Sequence, residues 1–284
     1  MFLVIKILIF DILISIIGFE ISCACVKINK RRIVMLKIVS FNIRCQPYLD
    51  GINAFIHRAG YVADKIEKET PDVICFQEVV PYELDVLKKL LPNYAFFGQY
   101  NGKKDEQEGL FTAVKIARFT LVGLETVWLS PTPYVCGSRF ADASPYPRLC
   151  VMVHLREDET DKEFRVYNTH LDHRSEEARN KGVQIVLDFI KEHQTKKELP
   201  TLLMGDFNAQ KDSTTIAMCK DFTEITPETG DTFHGFGTKI GYGKIDYIFA
   251  TGGVKKIKTQ KWEDCQDGIY LSDHYPVEVC VDID

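Results

Sequence analysis

With 284 residues, 45% of them hydrophobic, the chain can bury a full core, and a mixed α/β or β-rich domain of this size commonly stays undivided. A formal charge of −5 excludes a protein that grips long nucleic acid through a broad basic face, because such binding is dominated by phosphate neutralisation. The nine cysteines form no C-x-x-C pair, and several lie in apolar runs such as Val73-Ile74-Cys75-Phe76, which suits reduced thiols filling a core.

In chain order, residues 1–34 form a leader unlike the rest of the chain. It is Ile-rich from Phe2 to Ile21, interrupted by Lys6, Asp11 and Glu20, and then basic at Lys27, Lys30, Arg31 and Arg32. As a membrane anchor it is long enough, but Asp11 near its middle costs roughly 2.5–3.5 kcal/mol on insertion scales. As an export signal it carries its basic residues on the wrong flank. The third reading is a start at Met35, directly before the first convincing strand. A Met35 start implies a cytoplasmic protein; the other two imply an anchored or exported one. Removing residues 1–34 takes five basic and two acidic residues from a charge of −5, which leaves residues 35–284 at −8.

From Leu36 strands and helices alternate without a low-complexity linker or a solenoid repeat. Leu36 to Asn42 reads as a strand, Tyr61 to Thr70 as a helix ended by Pro71, and Val73 to Gln77 as a buried strand. Leu84, Leu87 and Leu91 recur at helical spacing, which predicts a helix over Tyr82 to Leu91 closed by Pro92. Strands are predicted at Tyr94 to Gln99, Leu110 to Ile116, Phe119 to Leu129, Leu149 to Arg156 and Phe164 to Thr169 by β-branched and aromatic enrichment. Pro131 to Pro147 is a long loop of the kind that sits over a site. Ser175 is a candidate N-cap for a helix reaching His193, with Val183, Leu187 and Ile190 on one face. Strands return at Thr201 to Met204, Lys244 to Ala250 and Tyr275 to Val281. The pattern predicts an α/β (α+β) fold in which sheets pack face to face with helices outside.

Polar residues gather where strands end. Asn42, Glu78 and His170 each come after an apolar run, Asp206 and Asn208 after Leu202-Leu203-Met204, Asp246 lies in Lys244-Ile245-Asp246-Tyr247-Ile248-Phe249, and Asp273-His274 precedes Tyr275-Pro276-Val277. Oxygen ligands without Cys/His spacing favour Mg²⁺ or Mn²⁺ over zinc. An Asp beside a His offers a base and a group that orients it. Taken singly, each Asp or Asn is as readily a turn former, Glu78 a helix-start acid and each His a structural residue. The ordered set is what points to chemistry.

These residues carry a resemblance. Ser40-Phe41-Asn42-Ile43-Arg44, Pro71-Asp72-Val73-Ile74-Cys75-Phe76-Gln77-Glu78, Asn168-Thr169-His170-Leu171-Asp172-His173, Gly205-Asp206-Phe207-Asn208, Lys244-Ile245-Asp246-Tyr247-Ile248 and Leu271-Ser272-Asp273-His274-Tyr275-Pro276-Val277 resemble, in order, the motifs of the endonuclease/exonuclease/phosphatase superfamily. The resemblance spans Lys37 to Val281. It implies a four-layer sandwich of two packed, mainly antiparallel sheets flanked by helices, with the site where strand ends of both sheets meet. By the family's pattern Glu78 is the principal metal ligand, helped by Asn42 and by Asp246 or Asp273. His274 is the expected general base with Asp273 as its partner, Asp206 and Asn208 orient water and phosphate, and His170 bonds the phosphate or assists the leaving group.

The branch is less defined. Asn42-Ile43-Arg44 resembles the deoxyribonuclease I form of the first motif, whereas the stretches around Asp206 and Asp246 look like the nocturnin-like and deadenylase-like branch. Thr169-His170-Leu171-Asp172-His173 with Thr232-Phe233-His234-Gly235-Phe236 is similar to a bacterial subgroup. Asn42, Arg44, Arg148, His173 and His234 are therefore candidate substrate-binding residues, with Asp172 a further candidate for specificity. The resulting expectation is a monomeric, metal-dependent hydrolase of phosphodiesters, acting on single-stranded RNA 3′ ends or a small diester and not on a long duplex tract. The alternatives are a phosphomonoesterase on a nucleotide, sugar or lipid head group, and a non-catalytic binding module on the same scaffold.

Overall fold

The computed structural model describes residues 34–102 and 108–284. The leader ahead of Val34 lies outside the described residues, and among these no helix is long and apolar enough to cross a membrane. From Val34 the chain forms β1 (Val34–Asn42), a 3-10 turn (Gly51–Asn53), α1 (Phe55–Glu69), β2 (Val73–Val79), α2 (Pro81–Leu90), β3 (Tyr94–Tyr100), β4 (Gly109–Lys115), β5 (Phe119–Trp128), β6 (Leu149–Glu157) and β7 (Glu163–His170). It continues through α3 (Glu176–Lys196), β8 (Thr201–Asp206), α4 (Thr214–Ala217), β9 (Thr223–Glu224), β10 (Asp246–Ala250), β11 (Val254–Lys261), the small hairpin β12 (Cys265–Gln266) and β13 (Ile269–Tyr270), and β14 (Val277–Ile283).

Two six-stranded sheets result, ordered β11-β14-β1-β2-β4-β3 and β5-β6-β7-β8-β10-β9. Each has one parallel pair at its centre, β1 with β2 and β7 with β8, joined by a crossover through α1 or α3, while the remaining pairings are antiparallel. Alternation along the strands builds the layers. Ile38, Val73 and Cys75 of the first sheet meet Val153, Val166, Leu202 and Met204 of the second in an apolar core between them. The intervening Val39, Ile74 and Phe76 pack on Val62 and Ile66 of α1 and Leu84 and Leu87 of α2. On the far side Tyr167, Leu203 and Tyr247 pack on Val183, Val186 and Phe189 of α3. The expected four-layer sandwich is therefore present.

Helix starts are partly local. Ser175 caps α3 by accepting from the Ala178 N–H at 3.1 Å, with Glu176 and Glu177 in the first turn. By contrast α1 starts at Phe55, earlier than expected, behind Ala54, which has no capping side chain. Its first turn is set by burial of Phe55 and Arg58. The strand β11 was not expected; its lysines blunt a sheet edge. Cys75, Cys150 and Cys219 are buried free thiols, as the composition suggests.

One core-facing acid has a measurable cost. Glu83, in the first turn of α2, is fully buried; one carboxylate oxygen accepts from the Val80 N–H at 3.2 Å and the other has no partner. Burial pushes its pKa up to about 8. An acid with a raised folded-state pKa contributes stability that is full below about 4.5 and lost as pH rises through about 8. Glu83→Gln should therefore match the parent at pH 4.5 and exceed it by about 1–3 kcal/mol at pH 8.5. Urea melts at the two pH values check this, and a pH-independent difference would refute it.

Candidate active site

The C-terminal ends of both parallel pairs meet at one edge of the sandwich, around a cleft of about 580 Å³. Register does much of the placing. The parallel β7–β8 ladder sets His170 beside Asp206, and the antiparallel β8–β10 ladder sets Asp246 across from Asp206. Close approach of β7 and β8 requires Gly205, where a Cβ would lie 1.8 Å from the Thr169 carbonyl oxygen. Below the site, Gln77 donates to Asn168 Oδ1 at 2.8 Å and Asn168 donates to the Phe76 carbonyl at 3.0 Å, tying the sheets together.

Glu78 sits where the β2–β4 ladder shifts register, in a left-handed backbone conformation (φ 62°), which turns its side chain into the cleft. Its carboxylate accepts from Asn42 Nδ2 at 3.0 Å and from the Cys45 N–H at 3.1 Å. Burial alone would raise its pKa, but the hydrogen bonds from Asn42 and Cys45 hold it well below the usual carboxylate range. Ligand atoms of Glu78, His170 and Asp206 lie within 4.8 Å of one another, as do those of Asp206, Asp246 and His274. An ionised carboxylate facing the cleft among further oxygens fits a hard divalent cation such as Mg²⁺ or Mn²⁺. Asn42 differs from its expected ligand role. It turns Nδ2 toward both Glu78 and Asp206, 3.0 Å from each, while its oxygen accepts from the Arg44 N–H, so it orients carboxylates.

His274 also has a different partner from the one expected. Its Nδ1 lies 2.9 Å from Asp246 Oδ2, and Nε2 points toward Asp206 at 3.8 Å. Asp273 cannot readily reach the ring of its own neighbour, because successive side chains of an extended segment diverge. It accepts from Ser272 Oγ at 3.2 Å and faces Arg44 Nε at 3.7 Å. Asp246, expected as a metal ligand, thus also orients His274, and it stays within the candidate metal group with Asp206 and His274. Burial would lower the His274 pKa, but Asp246, Asp206 and Asp273 raise it to about 10. These carboxylates favour the imidazolium, which can donate a proton, whereas the sequence suggests a base here. Asp206 is the group poised to take a proton: burial, then the charge of Asp246, pushes it up to about 7. Its second oxygen accepts from the Asn208 N–H at 2.8 Å.

His170 is neutral, its pKa lowered by burial and then by Arg148. Arg148 Nη1 is 3.0 Å from His170 Nδ1, and on the other side of the ring Nε2 lies 3.0 Å from Asn208 Nδ2 and 3.4 Å from Asp206 Oδ2. Arg148 also pairs with Glu108 and reaches His173 Nδ1 at 3.3 Å. Arg44 is bonded by Asp50 at 3.1 Å.

Two candidate substrate contacts are not brought to the cleft. His234 stacks on Tyr275 with ring centroids 3.9 Å apart, accepts from the Gly237 N–H at 3.1 Å, and is absent from the cleft wall, so it shapes a loop. Asp172 accepts from the backbone of Ser144, Arg174 and Ser175 and knots the 131–147 loop to α3. That loop does reach the site, through Pro145 and Tyr146. Sequence reasoning missed Glu108, Cys45 and Phe233, all on the cleft wall. Glu108, immediately before β4, shows the same strand-end signal that singles out Glu78.

Comparison with known proteins agrees with this geometry. A model described as the Endonuclease/Exonuclease/phosphatase family matches residues 39–274. No curated protein matches the sequence. Among solved structures, an endonuclease/exonuclease/phosphatase from Bacteroides vulgatus is 25% identical with a TM-score of 0.82, over 88% of this chain and 100% of that one. A mannosyl-6-phosphatase from Bacteroides thetaiotaomicron is 25% identical with a TM-score of 0.78, over 87% of this chain and 99% of that one. The human Nocturnin catalytic domain, 17% identical with a TM-score of 0.71 over 89% of this chain and 97% of its own, shares the fold. With the family model matching most of this chain and the strand-end residues converging on one cleft, the chain belongs to the endonuclease/exonuclease/phosphatase family.

Proposed function

We propose that the chain hydrolyses a small phosphate ester, with the monoester of a hydroxyl-bearing compound as the favoured substrate class. The observation that carries hydrolysis is the convergence of ionised Glu78, the Asp206 carboxylate and the His274–Asp246 pair in one cleft. Glu78 would hold a divalent cation, which supplies charge neutralisation at the phosphoryl oxygens. Asp206 accepts the proton of the attacking water, and the His274 imidazolium donates through Nε2 toward a phosphoryl oxygen. His170 and Asn208 orient the group between them.

Substrate size is argued from volume and charge. A cleft of about 580 Å³ suits a small ligand. Its arginines are already matched, Arg44 by Asp50 and Asp273 and Arg148 by Glu108, and Lys244 is turned away to Glu224. Among the described residues Lys239, over the Phe233 ring, is the remaining cation on the cleft wall, which is little for a duplex. The mannosyl-6-phosphatase among the similar structures supports a monoester. Phosphodiester cleavage at a single-stranded 3′ end is the second reading, favoured by Phe233, Tyr242 and Tyr146 on the cleft wall, which offer rings to a base.

Activity on an aryl phosphate should vanish after exhaustive chelation and return with Mg²⁺ or Mn²⁺; undiminished turnover in the chelated protein sinks the mechanism. At moderate salt and equal phosphate concentration, a sugar monophosphate should be hydrolysed faster than single-stranded RNA, and both faster than plasmid duplex. Duplex cut at least as fast as the other two overturns the substrate class.

A further inference from the structure

We propose that Glu108 is a specificity-determining residue: on the cleft wall it accepts a hydrogen bond from a hydroxyl of the group esterified to the phosphate, and it repels substrates that carry a second phosphate. The inference rests on the phosphate-ester reading above and names the part of the substrate that reading leaves open.

The side chain is placed, not free. Its carboxylate pairs with Arg148 and accepts from Asn101 Nδ2 at 3.2 Å, and its ligand atom lies within 4.8 Å of those of Glu78 and Cys45. Glu108 lines the cleft with only about a tenth of its side chain exposed, so what solvent access it keeps is through that cleft. Burial raises its pKa, while the Arg148 guanidinium paired with it favours the ionised form. An ionised carboxylate only accepts hydrogen bonds, and its two oxygens offer more sites than Arg148, Asn101 and the Cys45 thiol use.

A ligand whose phosphate lies at Glu78 and Asp206 meets this carboxylate in one of two ways. A hydroxyl on the adjoining carbons finds an acceptor at Glu108, whereas a second phosphate meets a negative charge in a partly desolvated wall. Glu108 also masks Arg148, the guanidinium that a second phosphate would otherwise use. The same arrangement leaves Arg148 to fix His170 and His173.

The test compares kcat/KM, with Mg²⁺ present, for a sugar monophosphate, the matching sugar bisphosphate and an aryl phosphate without hydroxyls. Glu108→Gln removes the charge and should raise the bisphosphate-to-monophosphate ratio about tenfold or more. Glu108→Ala removes the acceptor and should lower the sugar-to-aryl ratio about tenfold. Melting curves confirm that each variant is folded. Ratios that stay fixed while absolute rates fall equally on all three substrates make Glu108 a mere support for Arg148 and overturn the inference. A parent protein that cleaves none of the three with Mg²⁺ or Mn²⁺ overturns the underlying reading and this inference with it.

Discussion

Exchanging Asp206 for asparagine should lower kcat by about 10²–10⁴-fold, the scale of losing a general base. The residue is the meeting point of the site: it accepts from Asn42 at 3.0 Å and faces both histidines. Its position between Asp246 and the buried strand end makes its proton easy to keep and easy to lose near neutral pH, which suits a base. Activity should accordingly rise as pH increases through about 7, because the base works when deprotonated. Thermal stability should change little, since the substitution also removes a buried charge beside another acid. Single-turnover kinetics with matched melting curves provide the check. Asparagine protein retaining more than about a tenth of kcat would move the base elsewhere.

His274→Ala should also cost about 10²–10⁴-fold in kcat, here by removing the cation that donates to the phosphoryl group. Unlike Asp206→Asn it should destabilise the fold, because Asp206 and Asp246 lose the charge between them. Breaking a buried pair in this way costs roughly 3–5 kcal/mol. The pH dependence comes from its pKa being raised from 6.5 to about 10. Stability from His274 is full below about 6.5 and lost as pH rises through about 10, so the gap between parent and variant should narrow across that window. Denaturant melts at about pH 6 and about pH 10 measure it. A gap that widens toward the alkaline end would contradict an imidazolium at this position.

What could be read from the sequence was local. Ser175 announces α3 because capping is a bond between near neighbours, and the apolar spacing of Leu84 and Leu87 announces α2. Strand-end acids and amides stand out because they interrupt apolar runs, which located Asn42, Glu78, His170, Asp206 and His274. Pairings could not be read in the same way. That His274 leans on Asp246 and not on Asp273 depends on ladders between residues far apart in the chain. The start of α1 was hidden because tertiary burial of Arg58 defines it. That guanidinium donates to the carbonyls of Asn53, Ile43, Arg44 and Leu271, holding the chain on either side of the cleft. The proton on His274 is likewise a property of three converging carboxylates, which no single motif contains.

The pairing of Val34 with Ile283 at the far end of the β1–β14 ladder has a practical consequence. These two residues lie side by side, and β1 then runs eight steps to Asn42, about 26 Å at the usual rise of a strand. A tag, a solid support or a fused partner joined at that pole would leave the mouth of the cleft open to solvent. The same adjacency suits circular permutation: a short linker from Ile283 to Val34 would close the chain, and the exposed turn at Ile116 between β4 and β5 offers a place to reopen it.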